Sequence, residues 1–191
     1  MNQVSKPNSP KEASTIFTIG HSNVPASEIV NLLKKFEIDI LFDVRSSPYS
    51  KYAHQFNKDF FNKILEDNGI EYHFAGTTLG GRPPDPSCYK DESIPDGSAD
   101  YLHLVDYPTV MTKDFFLSGI EEVFSMTTKG RVALMCSEED PAKCHRHHLI
   151  GRYLVEQDVT VLHIRGDGNL VKDQHLPNLS NEPPAEQLDL F

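Results

Sequence analysis

"TIFTIGHSNVPASEIVNLLKKFEIDILFDVRSSPYS", residues 15–50, reads as a strand, a helix and a second strand in succession. "TIFTIG" (15–20) is short, rich in β-branched residues and stopped by glycine, as strands are. Ser27 is placed to cap a helix running to about Phe36, on which Ile29, Val30, Leu32, Leu33 and Phe36 make one apolar face. "DILFDV" (39–44) is apolar almost throughout, the pattern of a strand covered on both sides.

The same alternation continues outward. "NKDFFNKILEDNG" (57–69) places Phe60, Phe61, Ile64 and Leu65 at helical spacing and ends on Gly69, and "IEYHF" (70–74) alternates as a strand. A helix over about 112–128 carries a core stripe of Phe115, Phe116, Ile120, Val123 and Phe124. The strand "RVALMC", a helix over about 141–157 and the strand "VTVLHI" follow. Strands alternating with helices predict a three-layer α/β domain, Rossmann-like or rhodanese-like, around a mainly parallel sheet.

Around that domain the composition shifts. Residues 1–14 are polar and proline-broken and read as a flexible leader; 15–170 form the single α/β domain; 171–191 read as a disordered tail. Within the domain, residues 75–111 are rich in Gly, Pro, Asp and Ser and are expected to be a long loop or lid. The chain's 191 residues, 38% of them hydrophobic, suffice for one well-cored unit. A net charge of -10 opposes broad binding to phosphate backbones, so any nucleic-acid contact must be local or assisted by a partner. Three cysteines, and no basic-then-apolar N-terminal run, lead to the expectation of a reduced, cytoplasmic protein. Apolar runs of a few residues fall far short of the ~20 that span a bilayer, so no membrane partner is expected.

Sites in such sheets lie beyond the carboxyl ends of the strands. Those ends carry Gly20-His21-Ser22, Asp43-Val44-Arg45 and Cys136-Ser137-Glu138, three strands supplying one rim. The richest segment is "CSEEDPAKCHRHH" (136–148). Asp140-Pro141 is a strong helix start. Counting about 100° per residue from there puts Arg146 at the centre of the face shared by Leu149, Ile150, Tyr153 and Leu154. His145 and His147 flank that face, while Cys144 and His148 turn away from it.

Three chemistries compete for this rim. A metal site is disfavoured, because the seven residues between Cys136 and Cys144 are not a short paired spacing and Cys144 is predicted to face away; no metal ligand is assigned. A thiol site would use Cys136, at a strand end before a helix N-terminus, although the acids of "SEEDPAK" raise a thiol's pKa. An anion pocket would use Arg45, Arg82 and Arg146, which clamp carboxylate or phosphate through paired hydrogen bonds. The competing reading of the same residues is an internal network in which Asp43 and Glu138 hold those arginines. The candidate catalytic side chains are therefore His21, Asp43, Cys136, Glu138 and His145, with His21 and Glu138 as acid and base. Ser22, Arg45, Gly80, Gly81, Arg82 and Arg146 are the candidate anion-binding residues, the glycines by letting backbone approach a ligand. Tyr49, Tyr72 and Tyr107 could stack on a base. The expected partner is an anionic small molecule or nucleic-acid fragment, and no cofactor is required.

"TIGHSN", "FDVRSSPYS", "LGGRP" and "CSEEDPAKCHR" resemble, in order and spacing, the signature blocks of domain-of-unknown-function family 488 over roughly residues 15–165. The resemblance implies an α/β domain without a settled activity. By position it points to His21, Ser22, Asp43, Arg45, Pro48, Gly80, Gly81, Arg82, Cys136, Glu138, Cys144, His145 and Arg146. The stretch "DVRSSPYSKYAH" is also similar to rhodanese-like domains, from whose nucleophile loop the acidic loop after Cys136 departs; a sulfur-transfer enzyme using Cys136 is one expectation that follows.

The last five residues, "QLDLF" (Gln187, Leu188, Asp189, Leu190, Phe191), resemble the peptide by which bacterial replication and repair proteins bind the sliding clamp. An extended tail of this kind places its leucines and phenylalanine in an apolar groove while the glutamine fixes register. "SNEPPAE" before it suits a tether. Clamp docking would bring an acidic protein to DNA without its own grip, and implies a repair or replication role, either as an enzyme or as a non-catalytic adaptor.

Overall fold

The computed structural model describes residues 15–97 and 99–179. The leader and the "QLDLF" peptide lie outside the described residues. Six strands form one sheet: β1 (Thr15–Gly20), β2 (Ile40–Asp43), β3 (Glu71–Phe74), β4 (Val132–Cys136), β5 (Thr160–Ile164) and β6 (Leu170–Lys172). Their spatial order is β3-β2-β4-β1-β5-β6, all parallel except β6, which runs antiparallel to β5. The expected three-layer α/β architecture with a mainly parallel sheet is what the chain forms.

The connections explain the layers. The helices α1 (Ala26–Lys35) and α2 (Lys58–Asp67) carry the chain from β1 to β2 and on to β3, in one direction across the sheet. Five short elements follow β3 and β4: α3 (Gly76–Leu79), α4 (Tyr101–Leu104), α5 (Tyr107–Val110), the longer α6 (Asp114–Met126) and α7 (Arg152–Glu156). The last two bring the chain back through β4 to β5. Parallel crossovers keep one hand, so reversing direction puts the later helices on the opposite face. The two cores agree: Ile29, Leu33, Phe61 and Leu65 pack with Phe17, Ile19 and Leu41, while Phe116, Ile120, Val123 and Leu154 pack with Ile16, Phe42 and Leu134 on the other side. Alternate residues of one strand thus serve different cores.

Four local expectations change. Helix α1 begins after Pro25 with no side-chain cap, so Ser27 sits inside the first turn; a proline with extended ψ turns the chain into the helix without one. Residues 75–111 fold onto the sheet instead of forming an open loop. Leu79, Cys88, Tyr89, Val105 and Val110 are buried there, and Tyr89 bridges Val105; apolar anchors spaced among the prolines and glycines supply the core contacts an open loop lacks. The expected helix over 141–157 is broken into a 3-10 turn Pro141–Lys143, an extended Cys144 (φ -141, ψ 142), a π-helical turn Arg146–Gly151 and α7. Finally, β6 and the 3-10 turn Asp173–His175 continue the fold past residue 170, and Asp173 is buried. No helix among the described residues is long and apolar enough to cross a membrane.

Candidate functional site

Strands β2, β4 and β1 are neighbours, so their carboxyl ends converge at one place. A cleft of about 750 Å³ opens there, floored by His21, Arg45, Cys136, Glu138, Cys144 and His145. The loop after β4 lies close against β1: a Cβ on Gly20 would collide with the Glu138 carbonyl, which only glycine avoids.

His21 and Arg45 are held, not free. The Asp43 carboxylate accepts from Arg45 Nε at 2.8 Å and from its Nη2 at 2.5 Å. Asp43 also accepts from the Tyr72 hydroxyl at 2.7 Å. Fully buried and engaged on both oxygens, Asp43 positions Arg45. Arg45 further donates to the Phe56 carbonyl and, through Nη1, to His21 Nε2 at 3.0 Å. His21 donates from Nδ1 to the Ser22 carbonyl, and Ser22 takes a left-handed φ of 47 to present that oxygen. Both ring nitrogens are thereby committed in the neutral tautomer. Burial first, and the Arg45 charge second, lower the His21 pKa to about 4. His21 and Asp43, expected as acid–base groups, are joined through Arg45 in one internal network, with His21 lining the cleft.

Arg146 departs from its expected role in the same way. It points toward the sheet as the helical count required, yet it is completely buried. It donates to the Glu138 carbonyl, to the Glu139 carbonyl at 2.6 Å and to the Thr18 hydroxyl at 3.2 Å. Its guanidinium pins the loop after β4 to β1 and does not line the cleft. Gly80 is packed against protein, whereas Gly81 lines the cleft and lies close over His145. A Cβ on Gly81 would meet the His145 ring at 2.7 Å, and one on Gly80 would meet the Gly76 carbonyl and, at 2.5 Å, the Ser46 hydroxyl.

The reactive part of the floor is elsewhere. Because Cys144 is extended and not helical, its side chain turns inward, opposite to the sequence expectation. Cys136 Sγ and Cys144 Sγ stand 3.7 and 3.8 Å from His145 Nδ1, and Cys136 donates to Glu138 Oε2 at 3.2 Å. His145 Nε2 donates to the Val44 carbonyl at 3.1 Å, which leaves Nδ1 facing both sulfurs. Four groups in one small volume share few protons. The Cys144 hydrogen bond, then burial, push the Cys136 thiol well above the usual range. Burial and the Cys144 charge raise the Glu138 carboxyl. Against its own burial, Cys144 is held well below the usual thiol range by the Cys136 hydrogen bond and by His145. His145 is raised, the Cys144 charge outweighing burial. The two thiols thus lie together on the floor, and Cys144, which position alone did not point to, joins Cys136 as a candidate for thiol chemistry.

The walls were only partly legible. Arg82 is exposed on the rim and lies over the Tyr101 ring, 4.4 Å from its centroid. Lys143 lines the cleft, and neither cation has an acidic partner among the described residues. Tyr49 and Tyr52 stand exposed at the mouth. Tyr107 lines the cleft with a buried hydroxyl that finds no hydrogen-bond partner, whereas Tyr72 is spent on Asp43. Ser46, Ser47 and Ser50, which the sequence offers as turn formers around Pro48 with a phosphate-binding role open to their loop amides, line the cleft as well. Lys143, Tyr52 and Tyr101 were not singled out from sequence; the first sits in the cysteine-rich loop.

A family model described as domain of unknown function DUF488 matches residues 25–153. That stretch contains Arg45, Arg82 and the whole Cys136–Arg146 segment, and begins just after His21 and Ser22. No curated protein and no solved structure matches the chain.

Proposed function

The chain belongs to the domain-of-unknown-function family DUF488, and from that premise we propose that it is an enzyme acting on an anionic, ring-bearing substrate of the nucleotide or nucleic-acid-fragment class. The observation that carries this reading is the cluster Cys136–Glu138–Cys144–His145 on the floor of a cleft whose rim cations are unpaired. Unpaired cations beside tyrosine faces suit a phosphate joined to a base. The Tyr107 hydroxyl is the one buried donor of the cleft with nothing to bond, and a substrate oxygen would satisfy it. Glu138, whose carboxyl is raised by burial and the Cys144 charge, is the floor group best suited to exchange a proton with a substrate. Arg82 and Lys143 take the anion-binding part first assigned to Arg45 and Arg146.

Thermal-shift titration with nucleoside monophosphates, short single-stranded oligonucleotides and inorganic phosphate tests the substrate class. At least one nucleotide probe is expected to stabilise the wild-type chain more than phosphate does. Arg82→Ala should lose that stabilisation while its own melting temperature stays close to wild type, since the side chain is exposed. No shift with any probe would end the substrate assignment.

The "QLDLF" peptide is proposed to dock on a bacterial sliding clamp and hold the enzyme near DNA in replication or repair. Pull-down on purified clamp should retain the full chain and release the chain lacking residues 187–191. Equal retention of both would remove the clamp from the account.

A further inference from the structure

The geometry of the cleft floor points to a further occupant. Two sulfurs and one imidazole nitrogen, from Cys136, Cys144 and His145, all lie within 4.8 Å of one another and are buried. We infer that these three atoms are the ligands of a zinc-class divalent ion whose fourth position opens on the cleft beside Glu138. The inference deepens the proposed function, on which it rests only for the role of that fourth position.

Distance is the first argument. A tetrahedral ion holding sulfur at roughly 2.3 Å and nitrogen at roughly 2.05 Å separates those two atoms by about 3.6 Å. The observed sulfur-to-Nδ1 separations are 3.7 and 3.8 Å, both close to that spacing.

The imidazole supplies the second argument. A ligating histidine donates its other N–H to a carbonyl or carboxylate, which fixes the ring and leaves one lone pair for the metal. His145 donates from Nε2 to the Val44 carbonyl. Its Nδ1 lone pair is therefore aimed at the point between the sulfurs, and Gly81 lies so close to the ring that a Cβ there would meet it at 2.7 Å.

The donor set supplies the third. Two thiolates and an imidazole select zinc over the hard ions magnesium and calcium, and three protein ligands with an open fourth place is the arrangement of zinc sites that act on substrate. Glu138 Oε2 stands 3.2 Å from Cys136 Sγ, close enough to take a proton from a water in that place. The seven-residue spacing that argues against a zinc module in the sequence is bridged here by the 3-10 turn and the extended Cys144.

Cobalt(II) added to the full chain is the probe, because thiolate-to-cobalt charge transfer and the visible bands of tetrahedral cobalt report the ligands directly. One equivalent should give both signals, and zinc(II) should bleach them. Cys136→Ala, Cys144→Ala and His145→Ala should each lose charge transfer or tetrahedral intensity, while Glu138→Gln keeps both. Absence of a charge-transfer band in the wild-type chain overturns the inference without reference to any variant's folding, and so does a band that survives in the Cys136→Ala/Cys144→Ala double variant. Nucleotide stabilisation in a chain that binds no cobalt would leave the proposed substrate class standing and remove only the ion. A cobalt spectrum with no nucleotide shift would do the reverse.

Discussion

Two groups of histidine and acid lie a few residues apart in the chain and behave as opposites. One is the cleft floor around Cys136, Cys144 and His145. The other is behind it: Asp173 accepts from His147 at 2.7 Å and from His163 at 2.9 Å, the Thr18 hydroxyl bonds His163 at 2.6 Å, and Arg146 donates to Thr18. His147 completes itself on the Pro177 carbonyl. Both groups have the composition of a metal site, and both are buried. In the rear group, however, each ring nitrogen of His147 and His163 already has a protein partner, so no lone pair is left to offer. The floor has long sulfur contacts, a nitrogen between two thiols and an opening. Satisfaction of hydrogen bonds, more than residue type, separates the structural cluster from the chemical one.

Removing a member of each group should break that symmetry of composition. Arg146→Ala strips partners from the Glu138 and Glu139 carbonyls and from Thr18 and leaves a cavity where a buried guanidinium was. A loss of about 3–5 kcal/mol is expected, measured by urea denaturation. Cys144→Ala removes one sulfur whose contacts are few and long, to the Arg146 amide at 3.5 Å and to His145 at 3.8 Å, and should cost about 1 kcal/mol. Equal costs for the two would mean that the floor is as structural as the rear group, and that the contrast drawn between them is mistaken.

The rear group also shows what the sequence could tell. The parallel strands were legible because Leu41, Phe42, Leu134 and Met135 belong to unbroken apolar runs that only a sheet covered on both faces can bury. The rim was legible because His21, Arg45 and Glu138 each follow a strand. The use of each side chain was not. Arg146 pointed the right way, but its partners are main-chain carbonyls, and backbone acceptors leave no mark in a sequence. Cys144 was misplaced because one extended residue and a π-turn reset the helical phase that the count assumed. Tyr107 reached the cleft because residues 75–111 fold down on scattered apolar anchors, which composition had disguised as an open loop.

Acid sharpens the comparison, because histidines committed as neutral donors or acceptors cannot take up a proton without losing a bond. His21 is such a residue, its pKa lowered to about 4 by burial and the nearby Arg45. His163, and also His148, are lowered by burial. A base depressed in the fold leaves the unfolded chain to bind the proton alone once the pH falls below about 6.5. The stability these groups contribute is complete above that value and declines as pH drops toward 4, by about 1.4 kcal/mol per pH unit for each strongly shifted group. For His21 alone the loss should reach roughly 3 kcal/mol near pH 4. His21→Gln removes that titration, so its melting temperature should start lower at pH 7.5 and fall less steeply between pH 6.5 and 4.5 than that of the wild-type chain. Parallel curves would show that His21 accepts a proton in the folded state, and the Arg45–His21 hydrogen bond could then no longer count among the closed contacts that frame the open floor.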